Sequence, residues 1–62
     1  MNTPEIVYEI FDSLDGSNLL DTEDRKVAEK YHEKGYLIDE HRIQKMKISY
    51  NEHVTTIVTI NW

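Results

Sequence analysis

"TPEIVYEIFDSL", residues 3–14, sets how the N-terminal half of this chain is read. Thr3 is a helix-capping residue type. Pro4 suits a first helical position, where its missing N–H has no partner to lose, and Glu5 complements the helix dipole. Ile6, Val7, Ile10, Phe11 and Leu14 then recur at i, i+1, i+4, i+5 and i+8. That spacing predicts one stripe of an amphipathic helix, with Glu5, Glu9 and Asp12 on the other side. Asp15-Gly16-Ser17-Asn18 supplies the stop, because Gly16 enters the left-handed region without strain.

Outward from that segment, a second helix is expected to begin at Asp21 or Thr22. Either residue can cap it, and Glu23 and Asp24 place negative charge in the first turn. Val27, Ala28 and Tyr31 form its apolar face. Lys34 and then Gly35 end it, which would let Tyr36 pack back on Tyr31.

From Tyr36 the period changes to two. Met46, Ile48 and Tyr50 alternate with Lys45, Lys47 and Ser49; Val54, Thr56, Val58, Ile60 and Trp62 alternate with Thr55, Ile57, Thr59 and Asn61. This is a β-hairpin pattern, rich in β-branched and aromatic residues. A three-residue turn at Asn51-Glu52-His53 would set Tyr50 opposite Val54, Ile48 opposite Thr56 and Met46 opposite Val58. The expected fold is therefore α+β: two N-terminal helices packed on a C-terminal antiparallel β-hairpin, in one domain spanning residues 1–62. Leu37-Ile38 would add a short third strand, or a second copy would extend the sheet.

Sixty-two residues lie near the lower limit for independent folding, and there is no cysteine to staple them. The absence of cysteine fits a cytoplasmic protein. No apolar run is long enough to cross a bilayer as a helix, and residues 1–5 do not resemble a secretory leader. The net charge is -5. Residues 1–40 carry eleven acids and four bases, net -7; residues 41–62 carry one acid and three bases, net +2. An acidic surface disfavours nonspecific nucleic-acid binding and suits a basic protein partner.

Residues 12–24, DSLDGSNLLDTED, hold four aspartates between two apolar segments. With Ser13 taken as position one, Asp15, Ser17 and Asp21 fall at positions three, five and nine, and Asp24 at twelve. In this register the stretch resembles the helix–loop–helix calcium motif, and the similar dockerin loop. The resemblance implies a calcium-stabilised module. It departs from the family at Ser13, where an aspartate anchors the ion, and at Asn18, where the bend is glycine. The preferred reading is a polar elbow between two helices, with no metal and no cofactor.

His32, His41 and His53 lack the spacing of a metal site, and Asp39-Glu40-His41 is placed in a connection. No nucleophile elbow or phosphate-cradling glycine loop is present. A winged-helix-like nucleic-acid regulator using Arg42, Lys45 and Lys47 is the alternative, although neither helix is basic.

The expected function is a non-enzymatic, acidic protein-interaction domain, an inhibitor or regulator that blocks a basic site on a larger protein. Glu5, Glu9, Asp12, Asp15, Asp21 and Asp24 would form its acidic face. Lys45, Lys47, Ile57 and Trp62 would serve a partner or a homodimer through the hairpin edge, with Trp62 the natural anchor.

Overall fold

The computed structural model describes residues 5–62. It contains four strands and one helix in the order β1 (Ile6–Phe11), β2 (Asn18–Thr22), α1 (Arg25–Glu33), β3 (Leu37–Ser49) and β4 (Glu52–Asn61). The strands form one antiparallel sheet in the order β2-β1-β3-β4. The expectation of two helices on a hairpin is thus overturned: the first expected helix is an interior strand. The capping roles of Thr3 and Pro4 lie outside the described residues.

The reason lies in the residues of β1. Ile6, Val7, Tyr8, Ile10 and Phe11 are β-branched or aromatic types that suit a pleated surface. Ile10 and Tyr8 are buried on one face while Val7, Glu9 and Phe11 are only partly covered on the other. Helical and strand periodicities both fit so short an apolar run. Two sheet neighbours decide it: Ile10 faces Leu20 on one side and Ile38 on the other.

The aspartate-rich elbow joins two strands, not two helices. Asp12 Oδ1 accepts the Leu14 N–H at 2.7 Å, and Gly16 takes φ 73° while its N–H bonds Asp12 O at 2.9 Å. Asp15 Oδ1 accepts both the Ser17 N–H and the Ser17 hydroxyl, at 2.8 and 2.7 Å. The helix–loop–helix context of a calcium motif is absent. So is the two-helix frame of a winged-helix module.

Helix α1 starts later than expected, with Asp24 as its cap accepting the Lys26 N–H at 2.9 Å. Its end is as expected. Gly35 has φ 98°, its N–H bonds His32 O, and the Tyr36 N–H bonds Tyr31 O. Tyr36 and Tyr31 meet edge to face at 5.2 Å between centroids. Ala28, fully buried, lets the helix approach the sheet where Tyr8, Ile10 and Ile38 form the core.

The hairpin of β3 and β4 holds, but both its start and its register differ from expectation. Leu37-Ile38 opens β3 itself, and Asp39-Glu40-His41 continue that strand instead of connecting elements. Met46 pairs with Val54 and Gln44 with Thr56, because the chain turns at Tyr50-Asn51. From Asp39–Asn61 to Lys47–His53 the offset is even, so the even-numbered residues there still share a face; a bulge between Lys47 and Ser49 ends the alternation before the turn.

β1 accompanies β3 only as far as Arg42. Beyond it, β3 and β4 run on as a two-stranded arm of about 23 Å. The molecule is accordingly 46 Å long, with a radius of gyration of 14.2 Å. A compact chain of this length would have about 10.6 Å.

Candidate functional site

The sheet has two unlike faces. Over the body, α1 covers one of them, and Glu40 lies buried there, only 2% exposed, in the row Thr22–Tyr8–Glu40–Ile60. Arg42 Nε donates to Glu40 Oε2 at 2.6 Å. Arg25 and the Trp62 indole N–H donate to Oε1 at 3.3 and 3.1 Å. The Arg42 bond, helped by Trp62 and by both guanidinium charges, holds the Glu40 carboxyl below its ordinary range despite its burial. Both arginines remain about half exposed, so the carboxylate is shut off by a lid of side chains. An ionised, fully paired carboxylate is a structural anchor and a poor proton donor.

Trp62 completes that lid. It packs edge to face on Tyr8 at 5.7 Å and on His32 at 5.5 Å, with the Arg25 guanidinium 4.8 Å above its ring. Of the outcomes open to Trp62, folding back on the core is the one observed. The alternation Ile38–Glu40–Arg42 was the only signal in the sequence for a buried Glu40, and the acidic run Asp39-Glu40 masked it.

The six acidic residues expected to form one acidic face are dispersed. Glu5 precedes β1, Asp12 and Asp15 bond within the β1–β2 turn, and Asp24 caps α1. Ser17 holds the Asp15 carboxyl below its ordinary range, chiefly through its backbone N–H. Only Glu9 and Asp21 come together, directly opposite each other on the helix-free face. Asp39, which the sequence reading placed in a connection and not on the acidic face, lies on the other side of Glu9. The result is a row of three acids, Asp21–Glu9–Asp39, across three strands.

His41 shares that face. Its Nδ1 lies 2.9 Å from the Thr59 hydroxyl, and its Nε2 touches the Glu9 carboxylate. The Glu9 contact is close but off the line of the ring N–H, so it is not an aligned hydrogen bond.

Lys45, Lys47 and Ile57 belong to this same face, farther out on the arm; Ile57 sits opposite Ile43 and is 60% exposed. Trp62 belongs to the helix-covered face. The hairpin residues named from sequence therefore divide between two surfaces.

The helix-side face of the arm is uncovered, and apolar except for its Gln44–Thr56 row. Nine residues give α1 a length of about 13.5 Å, enough for the body alone. Met46, Val54, Val58 and Ile60 continue the helix-side pleat without cover, 58%, 40%, 47% and 37% exposed. Ile48 and Tyr50, beyond a bulge between Lys47 and Ser49, are exposed at the tip. Among the described residues, both strands of the arm beyond Ile43 also present an open edge.

Two depressions, one beside Val7 and residues 21–24 and one between residues 12–14 and 34–36, are shallow and open. Among the described residues, no three His, Asp or Glu side chains gather as a metal site would require. Among them, too, no helix is long and apolar enough to cross a membrane. No family model matches the chain, nor does any curated protein or solved structure.

Proposed function

We propose that this chain is a non-catalytic protein-interaction module that docks on a larger protein through its projecting hairpin arm. One observation carries the reading: uncovered Met46 and Val54 on a ribbon that leaves the body, in line with half-exposed Val58 and Ile60 at the body's end of the same face. Isolated two-stranded ribbons are marginal in water, and an exposed apolar stripe with open strand edges is what a partner buries. The regulatory act is occupancy of the partner's site. Asp12, Asp15 and Asp24 are engaged in their own turns and cap, which supports the arm over an acidic face as the docking element.

The test is capture from the native lysate with wild type, with the arm variant Met46→Glu/Val58→Glu, and with a helix-surface control, Lys30→Glu. Capture lost only with the arm variant supports the reading. A captured set that is the same for all three proteins refutes it.

A further inference from the structure

The helix-free face carries a pattern that the docking arm does not use. We propose that this face associates with a second copy of itself, face to face and antiparallel, about a two-fold axis at the Ile43–Ile57 pair. The inference is independent of the docking reading, because it concerns the opposite side of the sheet.

The charge distribution supports it. At the body end, Glu9 lies directly opposite both Asp21 and Asp39. Like charges in directly opposed positions destabilise a sheet. Among the described residues, only His41 brings a basic side chain to this row. At the arm end of the same face, Lys45 and Lys47 have no carboxylate partner among the described residues; Lys47 reaches only the Tyr50 ring, at 5.7 Å. One molecule thus holds both halves of a charge match, too far apart to meet within itself.

A two-fold operation brings them together. Asp39 and Lys47 each lie four residues from Ile43 on β3, in opposite directions, about 13 Å away. Rotation about an axis at Ile43 sets Lys47 of one copy over the Asp39–Glu9 row of the other, and the reverse contact follows from symmetry. Such self-complementarity is what an isologous interface requires. The acid row spans three strands, about 10 Å, and so accommodates the lateral offset of twisted sheets packed face to face. Ile43, Ile57 and Val7 supply the apolar centre, with His41 beside them.

The available area is modest. A face 46 Å long and two to four strands wide offers on the order of 500–800 Å² per copy, at or below the standard interface of about 800 Å² per partner. The expected dimer is accordingly weak and salt-sensitive.

Analytical ultracentrifugation with charge-swapped variants tests this. Wild type should approach twice its 7.4 kDa mass within concentrations up to about 1 mM. Lys45→Glu/Lys47→Glu alone and Asp21→Lys/Asp39→Lys alone should each raise the dimer dissociation constant at least about tenfold. An equimolar mixture of the two should restore association, because each arm then meets a body of opposite sign. Met46→Glu/Val58→Glu should leave the dimer intact, which separates this interface from the docking arm. If a swapped variant does not fold, zero-length cross-linking of mixed light and heavy wild-type copies should still give an intermolecular Lys47–Asp39 product. A species of 7.4 kDa at every concentration, a dimer indifferent to the charge swaps, or the lack of that cross-link would overturn the proposal.

Discussion

Glu40→Gln removes a single charge from the best-connected polar atom pair in the molecule and leaves its shape. The carboxylate accepts from Arg25, Arg42 and the Trp62 indole. An amide keeps one acceptor and turns two donors toward a guanidinium. The Arg25 and Arg42 side chains are about half exposed and can return to water, which limits each loss to the range of exposed pairs, about 0.2–1 kcal/mol. The Trp62 bond, to a buried charge, contributes about 1.5 kcal/mol. Together these give roughly 2–3 kcal/mol, a large share of the about 3–9 kcal/mol expected for 62 residues.

Urea unfolding at pH 7, followed by the fluorescence of Trp62, measures this directly, and the melting temperature should fall by about 10–20 °C. The pH dependence supplies the sharper check. The folded Glu40 pKa lies below its unfolded value, so its stabilisation is fully present above the ordinary carboxylate range and is lost as pH falls through the folded value. The gap between wild type and Glu40→Gln should therefore narrow steadily on acidification below about pH 4.5. A gap under about 0.5 kcal/mol at pH 7, or one that is the same at pH 3, would show that the buried carboxylate does not anchor the lid.

Other consequences can be measured with the same unfolding assay. Gly35→Ala should cost about 1–2 kcal/mol through its φ of 98° alone, since an added Cβ meets nothing within 4 Å; Gly35→Asn should cost less. Asp24→Ala should remove about 1 kcal/mol with the helix cap. Ile10→Ala and Ile38→Ala should each cost about 2–5 kcal/mol, whereas Ile57→Thr on the exposed arm should stay within about 0.5 kcal/mol. Hydrogen exchange should follow the same division: slow amides in β1 and the first half of β3, fast ones from Gln44 to Thr56.

What the sequence disclosed follows the same physics. Alternation identified the hairpin and sorted residues 45–47 and 53–62 onto two faces, because a period of two is a face statement, but it could not show the bulge between Lys47 and Ser49. It did not locate the turn, for Tyr50-Asn51 carries none of the strong turn pairs, and the register slipped by an even step. Gly35 with Tyr31 and Tyr36 announced the helix stop, since the left-handed φ of 98° that closes this helix costs a glycine nothing in Cβ clash. Ile6 to Phe11 misled because its apolar residues satisfy both periods, and only the neighbours Leu20 and Ile38 break the tie. Asp39-Glu40-His41 read as a loop because burial of Glu40 depends on Arg25 and Trp62, which become its neighbours only after folding. The acid row was hidden for the same reason, since Asp21, Glu9 and Asp39 meet only across strands.

The strand order also dictates an assembly sequence. β1 with β2, and β3 with β4, are adjacent in the chain and close through short turns, so each ribbon can zip on the microsecond scale. The seam between β1 and β3 joins residues as far apart as Ile6 and Arg42, and its closure carries the loop-entropy cost of everything between. The slow step is thus the docking of two preformed ribbons. Lesions at Ile10 or Ile38 should retard refolding, while an arm substitution that leaves stability unchanged, such as Ile57→Thr, should alter neither its rate nor that of unfolding.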